Sequence, residues 1–443
     1  MFLEIISIYF ICINLAYAIL VVLSWWHIKR YNAQKKKLKP VLQVPALTFI
    51  IPAFNESSLI VESLQTYLRL PLKNKEIIVI DDGSQDPTFK LLQNMYQLKR
   101  TEPNSILFHS LTHPELKVLE APHLGKSQSL NLGLEFASHD IICTMDADTI
   151  PHAPGIDECL DAFARDPKLI ACGGVINILH SQKLQNNKQL AQKNSQFLPS
   201  FQRLEYLRSF VCERLGWSLM GATMLISGAF CMLKKDAVKK VGGFNPKSIT
   251  EDLDLIVRLR REFRGKDHHF KVLPVTTCFT QVPNDLRHLR IQRVRWQLGL
   301  VQTLSHNFTM TFNPFYGILG LISIPYMWMV ETLSPIVELF AYLVVPYLGY
   351  VGVISWDVIA YFAVLGLVYS VLLTWLGMHL DRHYITKDKS WSWTKGAIHS
   401  ILMHFGYKQL YSIWRLFAIF LSIRTKNKWG DNPRQEIIHQ NVA

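Results

Sequence analysis

Apolar residues follow three different rhythms along this chain, and each rhythm predicts a different kind of element. Residues 5–26 carry no charged side chain, end in Trp25-Trp26 and run into Lys29, Arg30, Lys35, Lys36, Lys37 and Lys39. An uncharged run of about 20 residues crosses a bilayer, and the basic cluster after it favours the cytoplasmic side. A cleaved signal peptide would carry its charge before the apolar run, not after it. The expectation is an uncleaved transmembrane anchor over 1–28, with its N-terminus outside.

The second rhythm, over 45–300, is short. Leu47 to Ile51 is an apolar run stopped by Pro52, Glu76 to Ile80 is stopped by Asp81-Asp82-Gly83, and Ile141 to Met145 is stopped by Asp146. Between them, Leu59, Ile60, Ser63, Leu64, Tyr67 and Leu68 recur at helical spacing, as do Leu130, Leu134 and Phe136 with their neighbours. Strand alternating with helix predicts an α/β domain with a parallel sheet and helices on both faces. Ligands of such sheets bind beyond the carboxyl ends of the strands, where all three acidic stops fall. Residues 181–203, rich in Gln, Asn, Lys and Ser, read as an exposed segment without chemistry.

The third rhythm begins after 310, with four apolar segments near 315–333, 335–355, 358–380 and 397–422. The connection Val351 to Asp357 has no Lys or Arg, whereas 381–395 holds Arg382, Lys387, Lys389 and Lys395. By the positive-inside rule the first lies outside and the second inside, so 335–355 and 358–380 form a transmembrane hairpin. A crossing at 315–333 would reverse those signs, so that segment is expected as an interfacial or re-entrant helix. His404, Lys408 and Arg415 make the last segment a surface-lying amphipathic helix. The expected membrane region is thus 311–423, with three spanning helices in the chain and a cytoplasmic tail over 424–443.

Composition narrows the function. Hydrophobic residues make up 49% of the 443 and charged residues only 18%, which fits a membrane protein. The formal charge of +13 suits an anionic membrane face or a phosphate-rich substrate. Nucleic acid is not an expected partner, because no basic helix or aromatic-basic sheet motif is present. The seven cysteines show no CxxC and no zinc spacing, and read as reduced core residues. Gly125-Lys126-Ser127 lacks the first glycine of a phosphate-binding loop, which excludes an ATPase of that type.

Four motifs carry candidate chemistry. Asp146-x-Asp148 after a buried strand offers hard oxygens to one Mg²⁺ or Mn²⁺, which can bridge the phosphates of a nucleotide diphosphate; a solvated acidic turn is the plainer reading. Asp81 and Asp82 offer hydrogen bonds to a base or ribose, although turn chemistry alone accounts for Asp, Gly and Ser there. Thr250-Glu251-Asp252 suits a helix N-terminus, and also mounts Asp252 rigidly as a general base. In Gln292-Arg293-Val294-Arg295-Trp296, guanidinium groups can fork onto phosphate and an indole can face a sugar, or the group can anchor headgroups.

As an ordered set, together with Pro52-Ala53-Phe54-Asn55-Glu56, Gly125 to Asn131 and Ser227-Gly228-Ala229-Phe230, these motifs resemble the membrane-embedded glycosyltransferases of family 2. That group contains synthases of poly-N-acetylglucosamine, hyaluronan, chitin and cellulose. The resemblance implies a Rossmann-like GT-A fold over 45–300 and inversion at the anomeric carbon. It implies that Pro52, Asn55, Glu56, Asp81, Asp82 and Lys126 surround the nucleotide of a UDP-sugar, and that Asp146 and Asp148 hold the metal and diphosphate. Asp252 would be the base, Arg295 would contact the diphosphate, and Glu251, Gln292 and Trp296 would serve the acceptor. The implied activity is metal-dependent hexosyl transfer, with N-acetylglucosamine as the expected sugar, to a growing polysaccharide at the cytoplasmic face of the inner membrane. Three spans are few for a polymer channel. The interfacial segments, a small membrane or secretion partner subunit, or a short or lipid-linked product would each account for that. Transfer of one sugar to a polyprenyl phosphate is the alternative, and a non-catalytic nucleotide receptor the remote one.

Overall fold

The computed structural model describes residues 2–39, 41, 43–179, 197–264, 268–386 and 391–425. Residues 181–196 of the polar segment, Lys387, Lys389 and nearly all of the expected tail lie outside the described residues. The chain divides into two compact units.

The sheet unit comprises Gln34–His180 and Thr223–Gln281. Its strands are β1 (Leu47–Ala53), β2 (Lys75–Asp82), β3 (Leu98–Arg100), β4 (Leu107–Ser110), β5 (Leu116–Ala121), β6 (Ile141–Thr144), β7 (Ile150–Pro151), β8 (Leu169–Ile178), β9 (Cys231–Lys234) and β10 (His269–Thr280). They form one sheet in the order β3-β4-β5-β2-β1-β6-β9-β8-β10-β7. The runs that predicted strands are buried on both faces, which is why they do not alternate: Phe49, Ile50, Ile77, Ile78 and Ile80 are fully enclosed. Each such side chain contributes roughly 1.5–3 kcal/mol by leaving water. The helix Ile60–Leu68 buries Ile60, Ser63, Leu64 and Tyr67, the stripe that its periodicity predicts.

The longest pairings of the sheet are parallel, as expected, and shorter antiparallel ones make it mixed. β5, β2, β1 and β6 run parallel in the centre, and β8 runs parallel to β10. β9 is inserted antiparallel between β6 and β8, and β3, β4 and β7 pair antiparallel towards the edges. The central parallel part follows from strand–helix alternation. The short β9 has no such alternation to announce it.

The helical unit comprises Met1–Ala33, Ser181–Ala222 and Val282–Ala443. Among the described residues three helical stretches are long and apolar enough to cross a membrane: Ile8–Lys35, Leu319–Tyr350 and Trp356–Ile385. The segment expected as an interfacial or re-entrant helix at 315–333 runs on into the next helix, within the stretch Leu319–Tyr350. Leu333 keeps helical backbone angles, and Pro335 stands in the first turn of Ser334–Tyr350, where a missing N–H costs little. The Gln292–Trp296 motif lies on the helix Leu286–His306 in this unit, so the expected 45–300 stretch is shared between the two units. All seven cysteines are free, and all but Cys12 are buried.

Candidate active site

The parallel centre of the sheet gathers three strand ends. The register pairs Ala53 of β1 with Asp81 of β2, and Ile50 of β1 with Thr144 of β6, so the chain leaves these neighbours on the same side of the sheet. Asn55, with φ of 57°, ties two of the exits together. Its Oδ1 accepts from the amide of Gln85 at 2.8 Å, and its own amide donates to Ser84 Oγ at 3.0 Å. The amide of Glu56 donates to Thr88 Oγ1 at 2.9 Å. Pro52 lies within β1, one residue from its end.

Asp81 and Asp82 are adjacent and do different work. Asp82 Oδ1 accepts from the Leu124 amide at 2.7 Å and Ser129 Oγ at 2.8 Å, while Oδ2 accepts from the Gly125 amide at 2.9 Å. Both oxygens are thus engaged within the chain, where they hold the loop that presents Lys126. Gly125 caps the helix Lys126–Phe136 at φ 85°, a left-handed value that a side chain would strain. Asp81 is as deeply buried, yet its Oδ1 has no hydrogen-bond partner. Burial raises its pKa against the opposing hydrogen bonds from Ser84. A buried acceptor left open is what an N–H of a nucleobase would complete.

Lys126 Nζ lies 2.5 Å from Asp146 Oδ1 and 3.0 Å from Glu251 Oε1. One ammonium therefore joins the acidic turn after β6 to the first turn of the helix Glu251–Glu262. Close by, negative charge is crowded. Burial and the neighbouring Asp146 push Asp148 up to about 6, and burial followed by Asp148 and Asp146 pushes Glu56 up to about 7. These residues fit a divalent cation: the donors are hard carboxylate oxygens, and their mutual repulsion is what a cation relieves. Among the described residues no group of three His, Cys, Asp or Glu could hold a metal by itself. A cation here needs oxygens from its substrate as well, the usual arrangement for Mg²⁺ with phosphates.

Asp252 stands at the second position of its helix. Thr250, the N-cap, makes no side-chain cap and leaves its Oγ1 buried without a partner, so capping does not account for the motif. The carboxylate is instead gripped by two backbone amides, Gly228 to Oδ2 and Leu253 to Oδ1, each at 2.8 Å. Burial, then Glu251, raises its pKa despite those bonds. A Cβ built on Gly228 would come within 3.3 Å of Asp252 Oδ2, so a side chain there would press the carboxylate out of place by a few tenths of an ångström. A small cavity lies against Gly228, Phe244, Glu251 and Asp252. The sequence gives Ser227-Gly228-Ala229 no such role; a glycine inside a short apolar stretch is its signal.

In the helical unit, the two arginines of the other motif differ. Arg293 is almost fully buried, with Nη2 2.6 Å from Glu205 Oε2 and its guanidinium 4.5 Å from the centre of the Trp296 ring. Arg295 is partly exposed and forms no hydrogen bond or ion pair among the described residues. Gln292 Oε1 is buried without a partner. The structure therefore brings Asp146, Asp148, Lys126, Glu251 and Asp252 together in the sheet unit, and Gln292, Arg293, Arg295 and Trp296 on one helix of the other.

The model of the family described as "Glycosyl transferase family 2" matches residues 48–242. The poly-beta-1,6-N-acetyl-D-glucosamine synthase of Staphylococcus aureus (strain COL) is 33% identical over 320 residues, 72% of this chain and 68% of that protein. The synthase of the same name from Staphylococcus epidermidis is 31% identical over 271 residues, 61% of this chain and 58% of that one. Among solved structures, a mannosyltransferase from Pyrobaculum calidifontis in complex with GDP-Man and Mn²⁺ matches with a TM-score of 0.54. That match has 19% identity and covers 91% of this chain and 99% of the other, a likeness of fold.

Proposed function

This chain belongs to glycosyl transferase family 2, and on that premise we propose that it transfers N-acetylglucosamine, with inversion, from UDP-N-acetylglucosamine to a growing polysaccharide at the cytoplasmic membrane face. The observation that carries the reading is the bridge made by Lys126, which binds the DxD turn and the helix bearing Asp252 into one constellation. The names of the staphylococcal relatives supply the sugar and the polymer.

Asp252 takes the proton of an acceptor hydroxyl, whose oxygen then bonds to the anomeric carbon as the bond to the UDP oxygen breaks. The raised pKa of Asp252 suits that work, since a base matched to its proton moves it more readily. With each oxygen held by one amide, a lone pair on each remains for the substrate. Asp81 Oδ1 receives an N–H of the uracil. Asp146 and Asp148 would hold Mg²⁺ or Mn²⁺, which supplies charge neutralisation at the diphosphate. Contact of Arg295 with the diphosphate, and of Gln292, Glu251 and Trp296 with the acceptor, rests on the motifs alone. A partner subunit completing the membrane path remains part of this reading.

The test is the full chain in lipid nanodiscs with Mn²⁺ and a panel of UDP-sugars, following UDP release and product size together. Release with UDP-N-acetylglucosamine and a growing ladder is expected. A single lipid-soluble product would replace the polymer by transfer to a lipid phosphate. Ladder formation with another sugar alone would overturn the donor.

A further inference from the structure

The turn carrying Asp146 and Asp148 runs directly into Thr149, a fully buried residue. The two-residue strand β7 begins next to it and pairs antiparallel with the end of β10, Ile150 opposite Phe279. One step further in the same register Thr149 meets Thr280, a cross-strand pair whose hydroxyl oxygens lie 3.1 Å apart.

The backbone of Thr149 is held from two further sides. Its carbonyl accepts from Tyr67 Oη at 3.0 Å and from Ser63 Oγ at 3.2 Å, both on the helix Ile60–Leu68. Its amide donates to the Asp146 carbonyl at 3.1 Å. Thr149 is therefore a fixed point beside two partly exposed carboxylates.

The Thr149 hydroxyl has one hydrogen and two neighbours, Thr280 Oγ1 and, at 3.2 Å, Asp148 Oδ1. The carboxylate takes that hydrogen, because it can only accept and its charge strengthens the bond. Thr280 then donates to Thr149, so two hydroxyls line up behind one carboxylate oxygen and each polarises the next. Asp148 Oδ2 has no hydrogen-bond partner among the described residues.

Carboxylates that ligate a metal are characteristically held by outer hydrogen bonds of this kind. We propose that Thr149, backed by Thr280, is a positioning residue for the divalent cation: it pins Oδ1 of Asp148 and leaves Oδ2 as the oxygen offered to the metal. The inference rests on the metal-dependent transferase reading. A merely structural turn accounts for the bonds of the Thr149 backbone to Tyr67 and Ser63, but does not require a hydroxyl pair drawn up on the carboxylate.

The test is Mn²⁺ binding to the full chain in lipid nanodiscs with excess UDP, read from the electron paramagnetic resonance signal of the free ion, with thermal unfolding in parallel. Thr149→Val keeps the branched shape without the hydroxyl and should weaken Mn²⁺ binding by about 10–100-fold. Thr149→Ser restores the donor and should bind as the wild type does. Thr280→Val, which removes only the backing hydroxyl, should weaken binding less than Thr149→Val. Unchanged affinity in Thr149→Val, or an equal loss in Thr149→Ser, would overturn the proposal. If Thr149→Val does not fold, Thr280→Val decides alone, and wild-type affinity there overturns it. A wild type that binds no Mn²⁺ with UDP would remove the metal site itself, whereas a binding wild type with unaltered variants would remove only this role for Thr149.

Discussion

The two units handle buried charge in opposite ways. In the sheet unit the surplus is negative: Glu56, Asp146 and Asp148 repel one another, and Lys126 bonds to Asp146 and Glu251 among the surrounding acids. In the helical unit buried guanidinium groups are built into the packing, as Arg293 is with Glu205 and Arg415 with Gln297 and Glu331. A charge surplus held on rigid strand ends is poised for a ligand of opposite sign. A charge pair inside a helical bundle fixes one helix against another. The acidic centre therefore reads as chemistry, and Arg293 as the group that sets the helix carrying Arg295 and Trp296.

Substitutions should separate the two. The largest effect is expected from Asp252→Asn, which should lower transfer by about 10²–10⁴-fold while leaving UDP affinity unchanged. In the wild type the base works when deprotonated, and burial raises its pKa. Activity should therefore fall with decreasing pH at a point above the ordinary carboxylate range, visible as the acid limb of kcat/KM. Arg293→Met should cost about 3–5 kcal/mol in thermal or denaturant unfolding, because it strands the Glu205 carboxylate. Adding Glu205→Gln should restore part of that loss.

A third change lies far from either centre. Glu76 is opposed by burial, but bonds from Lys117, Ser138 and Thr48 outweigh it and pull the carboxyl from 4.5 down to about 2. Those bonds stabilise the fold fully above pH 4.5, and their contribution is lost as pH falls towards 2. Glu76→Gln should cost about 1–3 kcal/mol near neutrality and flatten the acid limb of the stability curve. Gly228→Ala should have the smallest effect, lowering kcat about tenfold by moving Asp252, with UDP affinity intact.

The proposed catalytic centre is marked in the sequence, because its residues sit where buried strands stop. Leu47–Ala53, Lys75–Asp82 and Ile141–Thr144 announce themselves as apolar runs, and the acids follow directly. Which acid does what was not legible. Alternation along β2 turns Asp81 and Asp82 to opposite faces, and only the fold shows Asp82 spent on the Leu124–Gly125 loop and Asp81 left open. The antiparallel β9 was missed because four residues carry too little periodicity. In the helical unit, Arg293 and Arg415 read from the sequence as charges at a membrane surface. Their burial depends on partners 88 and 118 residues away, which no local pattern encodes.

Calorimetric titration of UDP into the full-length protein with Mn²⁺ tests the acidic centre most directly, with wild type, Asp252→Asn and Asp148→Asn side by side. The account predicts equal affinity for wild type and Asp252→Asn, and binding at least about tenfold weaker for Asp148→Asn. Wild-type affinity in Asp148→Asn would contradict it, because the DxD turn would then hold neither cation nor diphosphate.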